Sequence, residues 1–193
     1  MMAHPQNAAL SPEDYLLAEE NSVEKHEHIN GEVYAMAEAE DAHVTIAGNL
    51  FALLRNHVRG SGCRVFIADM KARIEELNIY YYPDVLITCD PRDRAFTSFK
   101  RYPCLIVEVL SAATEACDRG DKFADYQHLE SLQEYVLINQ KRQRVECFRR
   151  NAEGLWVLHS FHPGDTVRLE SVGWAGAIAA LYEDVEFTPT EAV

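Results

Sequence analysis

Positive charge is scarce in this 193-residue chain: 18 lysines and arginines stand against 31 aspartates and glutamates, a formal net charge of −13. Proteins that coat nucleic acid draw most of their affinity from neutralising phosphates. The acidic balance argues against that way of life, while leaving room for a locally basic site or an acidic cluster that holds metal. Long apolar runs are missing too. None approaches the ~20 residues that span a bilayer, and Met1 to Leu10 lack the charged-then-apolar order of a secretory leader. A cytoplasmic protein with no membrane partner is expected. The five cysteines (Cys63, Cys89, Cys104, Cys117 and Cys147) include no short-spaced pair, which excludes a zinc ribbon and a disulfide framework and predicts reduced, structural thiols. Nine glycines and seven prolines exclude fibrous and low-complexity architectures. Also absent are the phosphate-cradling G-x-x-x-x-G-K-[ST] loop, G-x-G-x-x-G, the G-x-S-x-G elbow and H-E-x-x-H. Nucleotide-cofactor and α/β-hydrolase chemistry therefore have no support.

What is present suffices for one core. A chain of 21.9 kDa buries roughly 70% of its unfolded surface. One domain is expected, with a core over about 11–187 and short flexible termini. Ser11-Pro12-Glu13-Asp14 is a helix start, with a hydroxyl cap, proline in the first turn and acids facing the dipole. The helix should end near Asn21. Glu27 to Tyr34 reads as a hairpin about Asn30-Gly31, and Ile46, Ala47, Leu50, Leu54 and Val58 mark a helix from His43 to Val58. Short strands follow at Arg64–Ile67, Met70–Glu75 (half-buried), Tyr82–Thr88 and Cys104–Leu110, with a polar loop over Asp90–Arg101. A helix is predicted over Asp118–Leu129 and strands at Tyr135–Ile138, Arg144–Arg149, Trp156–Phe161 and Thr166–Leu169. A short helix at Ala175–Leu181 closes the chain. A helix joining two of the most apolar strands predicts an α/β or α+β fold with a mixed sheet.

Two residues sit badly in a bland core. Leu105-Ile106-Val107-Glu108-Val109-Leu110 is a buried-type strand carrying one carboxylate, and an unpaired buried carboxylate costs several kcal/mol. Glu108 therefore lies at a wet strand end, joins a structural ion pair, or is held by a cation. Tyr82-Pro83-Asp84-Val85-Leu86-Ile87 repeats the oddity. Two carboxylates at corresponding ends of adjacent strands can converge on a hard divalent cation. Downstream, Asp118, Lys122 and Tyr126 are spaced four apart and share one helix face. Lys122 is either half of an exposed Asp–Lys pair or a fixed positive charge poised for phosphate.

The stretches Tyr-Tyr-Pro-Asp-Val-Leu-Ile, Leu-Ile-Val-Glu-Val-Leu-Ser and Asp-Arg-Gly-Asp-Lys-Phe-Ala-Asp-Tyr resemble the Uma-two family. That family is assigned to the PD-(D/E)XK nuclease superfamily, and the likeness runs from about Ser11 through Phe187. It implies a restriction-endonuclease-like core, a mixed central sheet flanked by helices, after an N-terminal helix-hairpin-helix segment. It also implies that Asp84 is the acid of the "PD" pair and Glu108 the second acid, 24 residues later. The lysine expected two residues beyond is replaced by Leu110, which makes Lys122 its stand-in. A lysine head can reach one place from different backbone positions.

The resemblance implies a divalent-metal-dependent endonuclease acting on DNA. Asp84, Glu108 and the backbone carbonyl of Val109 would hold Mg²⁺ or Mn²⁺, with Lys122 completing the catalytic set. Glu32, His43, Asp118 and Tyr126 are supporting candidates, though Glu32 also reads as an exposed hairpin acid and His43 as a capping or packing histidine. No residue is assigned to nucleic-acid contact. His26 and His28 share a strand face without a partner pair for zinc, Tyr80 to Tyr82 read as packing, and the basic residues Lys141, Arg142, Arg144, Arg149 and Arg150 as a solvated hairpin face. Superfamily analogy implies a C₂ homodimer. The rival reading is a catalytically inactive nuclease-fold module that binds nucleic acid or protein.

Overall fold

A computed structural model describes residues 10–187; the expected flexible termini fall on residues outside these. Helix α1 (Pro12–Glu20) is capped by Ser11, whose hydroxyl accepts the Asp14 amide. Strands β1 (His26–Ile29) and β2 (Glu32–Ala35) form the hairpin, with Asn30 and Gly31 at φ 49° and 96°, the positive pair that an Asn-Gly turn supplies. Helix α2 (Asp41–His57) buries Ile46, Ala47, Leu50 and Leu54 along one stripe. Strands β3 (Arg64–Ile67), β4 (Lys71–Ile74), β5 (Ile79–Tyr81), β6 (Val85–Thr88), β7 (Phe99–Lys100) and β8 (Leu105–Leu110) follow. Then come helices α3 (Glu115–Arg119) and α4 (Asp121–Tyr126), and strands β9 (Glu134–Asn139), β10 (Val145–Arg150), β11 (Trp156–Phe161), β12 (Thr166–Leu169) and β13 (Trp174–Ala177).

The strands make a five-stranded sheet, β2-β1-β5-β4-β7, a six-stranded sheet, β11-β10-β9-β8-β6-β3, and the β12-β13 pair. In the six-stranded sheet β8 and β9 run parallel, bridged by α3 and α4, while their outer neighbours are antiparallel. Both faces of its centre are covered. Leu105, Val107 and Val109 join the core under α2, whereas Ile106 and Leu110 join Tyr81, Tyr126 and Tyr135 on the other face. A strand buried on both faces reads as a continuous apolar run, and the alternation puts Glu108 on the second face.

Several expectations are corrected. The predicted helix over Asp118–Leu129 is broken at Gly120 (φ −111°, ψ −92°), where a Cβ would stand 3.2 Å from the Ala116 carbonyl oxygen. Asp90–Arg101 is not an open loop. It folds as a 3-10 turn over Pro91–Ala95 and strand β7, around buried Asp93, which accepts from Thr88 Oγ1 and the amides of Arg101 and Tyr102. The half-buried strand at 70–75 carries a buried lysine, Lys71, against the Tyr82 ring. Ala175–Ala177 is strand because β12 pairs with it, and only Ile178–Tyr182 turns helically, as 3-10. The cysteines are not all reduced. Antiparallel β3–β6 pairing sets Arg64 opposite Thr88, so the next pair outward is Cys63 and Cys89, joined as a disulfide across 26 residues of sequence. Such a cross-strand pairing leaves no trace in sequence spacing. Among the described residues, no helix is long and apolar enough to cross a membrane.

Candidate active site

Asp84 stands where the chain leaves the five-stranded sheet after β5 and enters the six-stranded one at β6. Pro83 precedes it at this corner. Both carboxylate oxygens are occupied: Oδ2 accepts the Val109 amide at 2.7 Å, and Oδ1 lies 2.8 Å from His43 Nε2 in the first turn of α2. His43 is thus neither a cap nor simple packing. Burial alone would lower its pKa, but the hydrogen bond and charge of Asp84, aided by Asp118 and Glu40, raise it above the ordinary value.

Glu108 lies on β8, 3% exposed, with the Tyr126 hydroxyl donating to Oε1 at 3.1 Å. Lys122 Nζ is 3.6 Å from Glu108, 3.6 Å from Asp118 and 2.8 Å from Glu27. The Gly120 break ends α3 at Asp118 and Arg119 and begins a new helix, α4, that carries Lys122 and Tyr126. The spacing of four therefore reaches the strand end even though the helix is interrupted. Four carboxylates, those of Glu27, Asp84, Glu108 and Asp118, share one lysine and one histidine. Glu108 is held well above the usual carboxylate range, by burial first and then by Asp118, Asp84 and Glu27, with Lys122 opposing. Asp118 is raised for the same reasons, and its Oδ1 is buried with no hydrogen-bond partner among the described residues. Burial would depress Lys122, but Glu108, Glu27 and Asp118 overcome it and keep the ammonium charged.

Asp84, Glu108, Val109, Lys122, Asp118, Tyr126 and His43 are thus brought to one place, whereas Glu32 is not. Glu32 is exposed on edge strand β2, hydrogen-bonded by the Tyr34 hydroxyl. The acid at the site is Glu27 on β1, which also accepts the Tyr82 amide at 3.2 Å. The signal for Glu27 was its parity: it shares a strand face with Ile29, which packs on the core, so a carboxylate there points inward. His26 and His28 are structural, the first beside Glu19 and the second stacked on Tyr15. Tyr80 to Tyr82 are buried, and Arg144, Arg149 and Arg150 are engaged by Glu146, by Glu134 and Glu170, and by carbonyls of Gln127 and Glu130.

Residues 12–179 match the Uma2 family, described as "Putative restriction endonuclease". The chain belongs to the Uma2 family. An uncharacterized protein of Synechocystis sp. is 40% identical over 190 residues, covering 97% of this chain and 100% of the relative. A second from the same organism is 34% identical over 162 residues, covering 82% and 90%. Among solved structures, a crystal structure of a "putative nuclease belonging to DUF820" from Anabaena variabilis superimposes with a TM-score of 0.72 at 16% identity, covering 90% of this chain and 98% of that one. At that identity the likeness speaks for the fold: the Uma2 chain shares the mixed α/β architecture, sheets flanked by helices.

The donor chemistry of this Uma2 site suits a hard cation. Its carboxylate oxygens outnumber its cationic groups, and the surplus shows in the raised pKa values of Glu108 and Asp118 and in Asp118 Oδ1, which has no hydrogen bond among the described residues and only the Lys122 ammonium at 3.6 Å. Among the described residues no three His, Cys, Asp or Glu side chains are drawn together closely enough to hold an ion as they stand. Lys122 Nζ occupies the middle of the cluster.

Proposed function

We propose that this Uma2 protein is a divalent-metal-dependent endonuclease that hydrolyses phosphodiester bonds in DNA. The carrying observation is the convergence of Glu27, Asp118 and Glu108 on Lys122, with Glu108 on a buried strand whose next residue, Val109, binds the Asp84 carboxylate through its amide. Asp84, Glu108 and the Val109 carbonyl would hold Mg²⁺ or Mn²⁺, which supplies a Lewis acid and a bound water of lowered pKa. The protein's own groups do the rest. His43 and the Val109 amide fix the plane of the Asp84 carboxylate, and Tyr126 fixes Glu108. Lys122, kept charged by its acidic neighbours, offers a permanent positive charge to the phosphoryl oxygens as negative charge builds on them, a role that depends on position rather than basicity. A divalent cation among the carboxylates would offset their surplus negative charge, easing the approach of a polyanion to a chain of net charge −13.

Leu110 in the expected lysine position favours the rival, a nuclease-fold module without turnover that binds its partner with or without metal. Incubating supercoiled plasmid with wild type and with Asp84→Asn, in Mn²⁺ and in chelator, separates the two. Nicking that needs Mn²⁺ and disappears in Asp84→Asn is the expected result. Cleavage indifferent to chelator or to the substitution overturns the proposal.

A further inference from the structure

The six-stranded sheet ends on β11, and this edge is built unlike the other edges of the two larger sheets. Edge strands are normally blunted by charge, proline or brevity, because their free N–H and C=O groups template pairing with another chain. Edge strand β2 carries Glu32, β3 begins at Arg64, and β7 is two residues long. From Leu155 to Phe161 the sequence is Leu-Trp-Val-Leu-His-Ser-Phe, with no acid, lysine, arginine, proline or glycine. Leu155, Val157 and Leu158 are 59%, 41% and 47% exposed, three of the eight exposed large hydrophobics among the described residues.

The hydrogen-bond parity of this edge can be derived. The Arg144 carbonyl accepts from Asn139 and the Arg150 amide donates to Gln133, so the even-numbered residues of β10 bond toward β9 and the odd ones toward β11. Val145, Cys147 and Arg149 sit opposite Phe161, His159 and Val157. The main-chain groups of those three β11 residues therefore point inward, and those of Trp156, Leu158 and Ser160 face the open edge.

We infer that β11 is a homodimer interface, at which two copies of this chain pair edge to edge, antiparallel, about a two-fold axis at Leu158. Only that register uses all three outward residues: Leu158 pairs with its own copy, and Trp156 with the second copy's Ser160, giving about six N–H···O bonds. It also sets Leu155 against the second copy's Phe161 and Val157 against its His159, so each exposed apolar side chain meets an aliphatic side chain or a ring. This self-matching, on a strand without acid, lysine or arginine in an acidic chain, is what selects a second copy over a nucleic acid. The two six-stranded sheets become one continuous sheet, and the inference is independent of how the acidic site is read.

Light scattering on size-exclusion chromatography at about 100 µM tests it with three variants. Wild type should run at twice 21.9 kDa, and Leu158→Lys, which sets two ammonium groups face to face on the axis, at the monomer mass with unchanged circular dichroism. Hydrogen-bonded antiparallel partners have Cα atoms about 5.5 Å apart, within disulfide reach. Leu158→Cys should thus form a reductant-sensitive covalent dimer, while Ser160→Cys and wild type do not. A monomeric wild type, a Leu158→Lys dimer, or cross-linking of Ser160→Cys as fast as Leu158→Cys overturns the inference. If Leu158→Lys fails to fold, the two cysteine variants decide it.

Discussion

Glu108 and Glu134 are buried carboxylates on neighbouring parallel strands, and they are treated in opposite ways. Glu134, fully buried at the start of β9, accepts from Arg149 Nε at 2.8 Å, from the amides of Glu170 and Ser171 at 3.0 and 2.9 Å, and from the Ser171 hydroxyl. Its lone pairs are filled by its own chain, and the effect is to clamp the segment after β12 onto the sheet. Glu108 receives one hydroxyl and a share of one lysine, among three further carboxylates. A saturated buried acid holds a fold together. An acid left short of donors keeps valence for something from outside, and proteins accept the cost at functional sites.

Substitutions can break or sharpen that contrast. Glu134→Ala leaves Arg149 with Glu170 and the Arg168 carbonyl, and strips two amides and the Ser171 hydroxyl of their acceptor. It should cost about 3–5 kcal/mol, a drop of roughly 6–20 °C in melting temperature for a chain of this size. Calorimetric Mn²⁺ binding by the folded protein should be unchanged. Loss of Mn²⁺ binding in folded Glu134→Ala would erase the distinction. Lys122→Met comes next. It removes the only lysine among the four acids, but Glu108 and Asp118 can take up protons in compensation, so the loss should be about 1–3 kcal/mol at neutral pH. Mn²⁺ should restore part of it, visible as a larger metal-induced rise in melting temperature than in wild type.

Glu108→Gln should move stability the other way. The folded pKa of Glu108 is raised, so its favourable contribution is complete below the ordinary glutamate value of about 4.3 and is lost as pH climbs through the higher folded value. A neutral isostere avoids that loss. The metal-free variant should gain about 1 kcal/mol near pH 8, or 2–4 °C. The smallest effect is in the pH profile: as pH rises above the ordinary glutamate value, metal-free wild type should lose stability more steeply than Glu108→Gln. A parallel pair of profiles would show that Glu108 is as well satisfied as Glu134.

Much of this was legible in the sequence. The cap at Ser11, the Asn30-Gly31 turn, the α2 stripe and the apolar runs of β6, β8 and β9 follow from local rules, and Asp84, Glu108 and Lys122 stood out as polar residues in apolar or helical settings. What failed depended on partners distant in sequence. Glu27 reaches Lys122 only because β1 lies beside β5, and the polar stretch around Asp93 folds because Thr88 and the Arg101 and Tyr102 amides surround that acid. The Cys63–Cys89 pair needed the β3–β6 register, and Ala175–Ala177 became strand because β12 was there to pair with it. Glu134 passed unnoticed because an acid opening a strand looks like a solvated end until Arg149 and Ser171 close over it.

The contrast rests on Glu108 keeping its valence for a cation, and isothermal titration of Mn²⁺ into wild type and Glu108→Gln tests it most directly. Saturable binding by the wild type, absent from a variant that is folded and at least as stable, is the predicted result. Equal heats in the two proteins, or none in either, would contradict it.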